Sequence, residues 1–281
     1  MKKKLISLVL ILVFSLSPIQ AQAATNDWMA LELSDYEPFQ EILRDHPDAT
    51  IVQSNTSYVL TETIKNDNGD IVSLKAIKFS SLANMNNYQR VARDQELVIP
   101  NTISPGNTYY VTYSKMQVGL QFLRYSTGSG YEYFVACLYN WLTPPDMNVL
   151  EQTVGVVGLA LDTGLVMNGG SYDSRMTYVR SGQTYREYPS VMATGTQGIG
   201  YCFNIVNDVI YNVTSMSGVI SCTAKKSFPS AELVSAYGEY AAVNYTLDLT
   251  SFSVSLSGGI SFRLATSKTP YSVQDNLDVR N

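Results

Sequence analysis

A chain of 281 residues, 45% hydrophobic and only 15% charged, is too apolar to be disordered and long enough to bury a large core. Its formal net charge is −5 at pH 7, with lysines scattered rather than striped, which argues against a nucleic-acid or anionic-membrane partner. Twenty tyrosines, with frequent Val, Thr and Ser, favour strands over helices.

Residues 1–23 read as a secretory signal peptide. Lys2, Lys3 and Lys4 form the charged n-region, and an apolar run from Leu5 to Leu16 follows. Pro18 breaks that run, and Ala21-Gln22-Ala23 offers small residues for cleavage. The run is well short of the roughly 20 residues that span a bilayer. No cysteine lies near the cleavage point, and the terminal TPYSVQDNLDVRN has neither a hydrophobic tail nor a basic cluster. The expectation is a secreted, extracellular protein of bacterial style without a stable membrane anchor. Removing the three signal lysines from 19 basic residues leaves 16 against 24 acidic ones.

After the signal peptide, residues 24–49 read as an N-terminal segment carrying a short helix, and residues 50–281 as a single β domain. Ser34 to His46 is the helix candidate. Ser34 and Glu37 have capping-box spacing, Pro38 suits a first turn, and Phe39, Ile42 and Leu43 share a face. Pro47 ends it, with His46 as a solvated C-terminal cap.

From Thr50 the pattern turns to strands. Ile51–Ile64 and Ile71–Phe79 flank Asn66-Asp67-Asn68-Gly69-Asp70, a hairpin turn rather than a calcium loop, because Lys75 stands where a closing glutamate is needed. Ser80–Ser104 is a polar connection with room for a short helix. Tyr109–Tyr125 and Tyr131–Leu142 form a second hairpin around Ser126–Gly130. Tyr131, Tyr133, Val135, Cys137, Tyr139 and Trp141 share one face and Phe134, Ala136, Leu138 and Leu142 the other, so this strand is apolar on both faces and should be central, with the apolar Val154–Leu161 run near it. Further strands are expected at Arg175–Arg180, Gln183–Tyr188, Gly198–Asn207, Val209–Ser215, Val219–Lys225, Glu239–Leu249, Phe252–Leu256 and Ile260–Ala265. A dozen or so short strands with glycine-rich turns predict an all-β fold, an antiparallel β-sandwich of jelly-roll-like type.

Three cysteines, Cys137, Cys202 and Cys222, make no disulfide scaffold. Cys202 and Cys222 could bridge neighbouring strands; three buried thiols are the alternative. With one histidine and no CxxC, neither an ordinary zinc site nor any cofactor is expected.

Asp162-Thr163-Gly164 spells the aspartic-protease signature after an apolar strand. Leu165 is large where that signature wants a small residue, and no second copy exists. A strand-ending turn explains the string better. Gly195, Gly198 and Gly200 lack the order of a nucleotide loop. Glu132, Glu151, Asp173, Glu187 and Glu239 could supply paired carboxylates, but no strand puts two on one face. No residue is therefore assigned a catalytic role.

Tyr109, Tyr110, Tyr113, Tyr131, Tyr133 and Tyr139 gather on one hairpin, where exposed rings can stack on sugars or anchor a protein. Tyr109, Tyr113, Tyr131 and Trp141 are the candidate ligand-binding residues, Trp141 only if exposed; a buried Trp141 belongs to the core. Arg175, Arg180 and Arg186 could meet a carboxylate or phosphate. The first functional reading is a non-catalytic β-sandwich that binds an extracellular glycan or protein. A secreted hydrolase with carboxylate chemistry comes second. A pore-forming toxin comes third, because Phe252, Val254 and Leu256 alternate with serines but the in-phase run is shorter than a membrane strand and slips at Thr250-Ser251.

Overall fold

The computed structural model describes residues 27–69, 71–94, 110–144, 153–189, 191–195, 197–205, 213–228, 233–244, 249–255, 259–264 and 271–280. The signal peptide at 1–23, Tyr109, Glu151 and the expected strand residues 206–212 lie outside them. Three helices are α1 (Asp27–Leu33), α2 (Glu37–Asp45) and α3 (Leu82–Asp94). The first strands are β1 (Thr50–Lys65), β2 (Ile71–Phe79), β3 (Tyr110–Thr127), β4 (Gly130–Thr143) and β5 (Thr153–Leu161). Then come β6 (Leu165–Arg180), β7 (Gln183–Glu187), β8 (Val191–Gly195), β9 (Gly198–Ile205) and β10 (Val213–Lys226). The last are β11 (Leu233–Asn244), β12 (Leu249–Ser255), β13 (Gly259–Leu264) and β14 (Tyr271–Arg280). Among the described residues no helix is long and apolar enough to cross a membrane.

The strands make an antiparallel β-sandwich. One sheet has the order β2-β1-β3-β4-β10-β6-β7, the facing sheet β14-β11-β5-β9-β8, and among the described residues β12 and β13 form a two-stranded sheet. Local chemistry sets the hairpins. In the β1–β2 turn the Asn68 N–H donates to Asn66 Oδ1 at 3.0 Å and Gly69 takes φ 83°, a left-handed value that glycine adopts without strain.

β4 is the middle strand of the larger sheet, as its two apolar faces predict. Its inner face (Tyr133, Val135, Cys137, Tyr139, Trp141) joins Val157, Leu159 and Leu161 of β5 and Tyr240 of β11 in the inter-sheet core. Its outer face (Phe134, Ala136, Leu138) is covered by Met29, Leu33, Tyr36 and Phe39 of the α1–α2 segment. Packing there is tight at Gly119, where an added Cβ would overlap Met29 Sδ and leave Trp28 Cζ2 at only 3.0 Å. The larger sheet therefore sits between a helical layer and the second sheet, which is why its central strand carries no polar alternation.

Several boundaries differ from the sequence reading. α2 begins at Glu37 with Tyr36 as its N-cap, while the Ser34 hydroxyl donates to Leu31 O at 2.7 Å. Ser34 thus closes the unforeseen helix α1 and makes no capping box. β6 runs through Gly169-Gly170: Tyr172 pairs with Cys222 and Met167 with Ala224, so 168–171 bulge out opposite Thr223. The bulge is satisfied locally, because Ser171 Oγ donates to Asn168 O at 2.8 Å. Sequence periodicity also missed β8, which pairs with the next strand β9, and β14, which pairs with the more distant β11.

The Cys202–Cys222 bridge that the sequence allows is not formed. Cys222 is a free, buried thiol. Cys202 lies in β9 of one sheet and Cys222 in β10 of the other, so they are not on neighbouring strands. Burial pushes the Cys222 thiol up to about 12.

Candidate functional site

The described residue that best meets the requirement for an exposed, positioned aromatic ring is Tyr131, at the end of the β3–β4 hairpin. The turn there is held by Gly130 at φ 130° and by the Thr127 hydroxyl, which donates to Gly130 O at 3.0 Å. Asp48, in the segment leaving α2, accepts the Ser126 N–H at Oδ2, 2.8 Å away, and the same contact holds its carboxyl below the usual aspartate range. The His46 ring packs 4.4 Å from Tyr125. The expected solvated histidine cap therefore also braces the hairpin.

Tyr131 is 56% exposed, and the Arg124 guanidinium lies 4.8 Å from its ring centroid. Alternation along β3 and β4 puts Arg124 and Tyr131 on the core side of the sheet, at its rim. Phe228, just beyond the end of β10, is exposed as well.

On the opposite face, Glu132 organises a polar network across four strands. Its Oε2 accepts from Asn168 Nδ2 at 2.8 Å and from the Tyr125 hydroxyl at 3.3 Å. Asn168 Nδ2 also donates to Thr223 Oγ1 at 3.0 Å. Burial, followed by the Glu132 charge, pushes the Tyr125 phenol far above its ordinary range, so it remains a hydrogen-bond donor at any physiological pH. Lys225, cross-strand to Glu132 on β10, is exposed. The rim thus offers an aromatic plate with the Arg124 cation on one face, and on the other a carboxylate held by neutral donors with Lys225 across from it.

The other candidate tyrosines do not join this site. Tyr113 lies thirteen residues along β3 from Ser126, the cross-strand partner of Tyr131, which is roughly 40 Å at strand rise. Tyr133 and Tyr139 are buried in the core, Tyr139 stacking on Phe203 at 5.2 Å. Trp141 is 1% exposed, and its indole N–H donates to the Tyr240 hydroxyl at 3.1 Å. It cannot stack on a ligand, and the core reading of Trp141 holds.

Asp162 to Leu165 forms a turn. Asp162 Oδ1 accepts the Gly164 N–H at 2.9 Å, and the Leu165 N–H donates to Asp162 O at 3.2 Å. Burial raises the Asp162 carboxyl above its ordinary range, and Asp278 adds to the effect. Glu132 and Asp173 face the same side of the sheet, but their partners Lys225 and Ser221 on β10 put the two backbones roughly 16 Å apart. That is well beyond the carboxylate spacing of a glycosidase. Glu187 is engaged by the Tyr178 hydroxyl at 2.9 Å.

Arg175 and Arg186 find a carboxylate, and it belongs to the protein. Arg175 Nη1 lies 2.9 Å from Asp35 Oδ1, and Arg186 pairs with the other Asp35 oxygen. Arg180 sits over the Tyr185 ring at 5.3 Å. Sequence reasoning missed Arg124, Asn168 and Thr223, and no local signal marks them. Only the register brings them to Tyr131 and Glu132.

No protein-family model matches this sequence, and no curated protein sequence matches it. Solved structures similar to the chain include the collagen-binding subdomain of the Enterococcus faecalis surface protein ACE, at 9% identity and TM-score 0.30, covering 53% of this chain and 88% of that one. The Clostridium perfringens NetB toxin in its membrane-inserted form is 8% identical with TM-score 0.28, covering 59% of this chain and 91% of that one. The C-terminal domain of the Streptococcus pyogenes antigen I/II-family protein AspA is 10% identical with TM-score 0.30, covering 81% of this chain and 85% of that one. Superpositions this loose assign no ligand and no residue role here.

Proposed function

We propose that this chain is an exported, non-catalytic β-sandwich that binds an extracellular glycan or protein through the β3–β4 end of its larger sheet. The observation that carries the reading is Tyr131, a ring 56% exposed yet held beside the Arg124 guanidinium at 4.8 Å. A large apolar surface left in water but fixed in orientation loses little side-chain entropy when a sugar ring or a flat protein surface stacks on it. The hairpin beneath it is braced by Asp48 and His46, so the plate is pre-organised. Arg124, on the same face as the ring, adds donors for hydroxyl or carboxylate groups.

The test is co-sedimentation of the protein with purified bacterial cell walls and a panel of insoluble polysaccharides and matrix proteins. Binding that is lost in Tyr131→Ala and retained in Tyr113→Phe is the expected result. Retention equal to wild type in Tyr131→Ala rejects the site. Soluble fragments released from a polysaccharide, and abolished by Glu132→Gln, would replace binding with hydrolysis. Dye leakage from lipid vesicles would favour the membrane-inserting reading of the β12–β13 hairpin.

A further inference from the structure

At the far end of the larger sheet one carboxylate oxygen is buried without a hydrogen-bond partner. Glu62 of β1 stands directly opposite Tyr113 of β3 on one side and Lys75 of β2 on the other. Its side chain is only 7% exposed, and Oε1 makes no hydrogen bond. The neighbouring Tyr113 hydroxyl is buried and makes none either. Lys75, the obvious counter-charge, is exposed.

Helix α3 covers this spot. Met85 is fully buried and Gln89 is 9% exposed. Asn86 accepts from Lys115 Nζ at 2.7 Å, and the Arg93 guanidinium lies 5.4 Å from the Tyr113 ring centroid. Buried polar groups are almost always satisfied, and a charge without a donor is the costliest exception. Glu62 Oε1 and the Tyr113 hydroxyl thus stand side by side under one helix as two buried oxygens without a hydrogen-bond partner.

Its chemistry selects the ligand. Directly opposed residues on antiparallel strands have Cβ atoms about 4.5–5.5 Å apart, so Glu62 Oε1 and the Tyr113 oxygen can converge on one atom. A carboxylate repels an anion, and a water molecule would satisfy polarity but leave the charge unbalanced. A guanidinium wants two coplanar carboxylate oxygens, whereas here one carboxylate oxygen and one phenol are open. A divalent metal wants several hard oxygen ligands, and among the described residues no group of three or more His, Cys, Asp or Glu could hold one. A primary ammonium carries three donors on one compact cation.

We infer that the junction of α3 with β1 and β3 is a binding site for a primary ammonium group. Glu62 Oε1 takes one N–H and the charge, and the Tyr113 oxygen takes a second N–H. Lys75 and Arg93 stand at the rim as cations that oppose entry.

The probe is n-butylammonium, titrated at neutral pH into the isotopically labelled protein and followed by amide chemical shifts, with n-butanol as the uncharged control. Saturable shifts confined to β1, β3 and α3 are expected with the ammonium and not with the alcohol. Glu62→Gln should weaken binding at least tenfold, and Lys75→Met should strengthen it. Glu62→Gln should also unfold at no lower denaturant than wild type, because the buried oxygen that lacks a hydrogen-bond donor then belongs to a neutral amide. Absence of saturable shifts, binding unchanged in Glu62→Gln, or a clearly less stable Glu62→Gln would each overturn the inference. The last result would mean that Glu62 is already paired within the protein.

Discussion

Replacing Arg175 with methionine should release the N-terminal helices from the sheet. Arg175 is 5% exposed and bridges the end of α1, donating to Asp35 O at 2.9 Å and to Glu32 O at 2.7 Å. It also pairs with Asp35 Oδ1 at 2.9 Å and lies 5.3 Å from the Tyr36 ring centroid. A hydrogen bond from a charged donor contributes about 1.5–3 kcal/mol, so the two carbonyl contacts together are worth about 3–6 kcal/mol. Asp35 is half-exposed and keeps Arg186, so its pairing adds at most about 1 kcal/mol. Against this, Arg175 Nε is buried without a partner, and removing it recovers about 1–3 kcal/mol of desolvation. Methionine retains most of the packing length. The net loss is therefore about 2–4 kcal/mol. Hydrogen exchange and limited proteolysis of residues 27–49 measure it directly, because local opening is the first consequence. Arg175→Lys should be intermediate, since an ammonium cannot span both carbonyls in the same fork geometry. A loss under about 1 kcal/mol, with protection of 27–49 unchanged, would refute the latch.

Three further outcomes can be measured. Trp141→Ala removes a ring that is 1% exposed and bonded to Tyr240, and should cost about 3–5 kcal/mol in urea unfolding; a loss below about 1 kcal/mol would mean that the ring is not core. Asp162→Asn retains the turn acceptor and removes a carboxyl that burial raises. The folded state binds its proton more tightly than the unfolded one, so the charge becomes a cost as pH rises through the ordinary aspartate range. The variant should be the more stable protein at pH 7, with the gap closing below about pH 4, and a less stable variant at pH 7 would contradict this. Cys137 and Cys222 are buried thiols, so neither should react with a thiol reagent before unfolding; an intact mass two hydrogens short would show a bridge instead.

Much of the architecture is legible in residue order because strand signals are local. The β1–β2 turn follows from Asn66 to Gly69, and the burial of β4 follows from its apolar residues on both faces. The end of the Leu161 strand follows from Asp162, whose short side chain bonds Gly164 two residues on. Where the reading failed, the deciding partner was remote. Ser34 looked like a helix cap by spacing, yet the α1 turn claims its hydroxyl. No local pattern announced the bulge at 168–171, which Ser171 and the cross-strand Thr223 satisfy. Tyr109, Tyr113 and Tyr131 looked like one cluster because they are close in sequence, but an extended strand carries Tyr113 and Tyr131 to opposite ends of the sheet.

Residue order by itself determined that the chain builds an antiparallel β-sandwich with a helical preface, since alternation, turn residues and composition act over a few neighbours. Tertiary structure alone decided which aromatic ring is left in water, which arginine is buried, and which carboxylate oxygen lacks a hydrogen-bond partner. Those outcomes depend on pairing register and on what packs over each face. Trp141 and Tyr131 sit ten residues apart on one strand and on one face; the second sheet covers the first and stops short of the other.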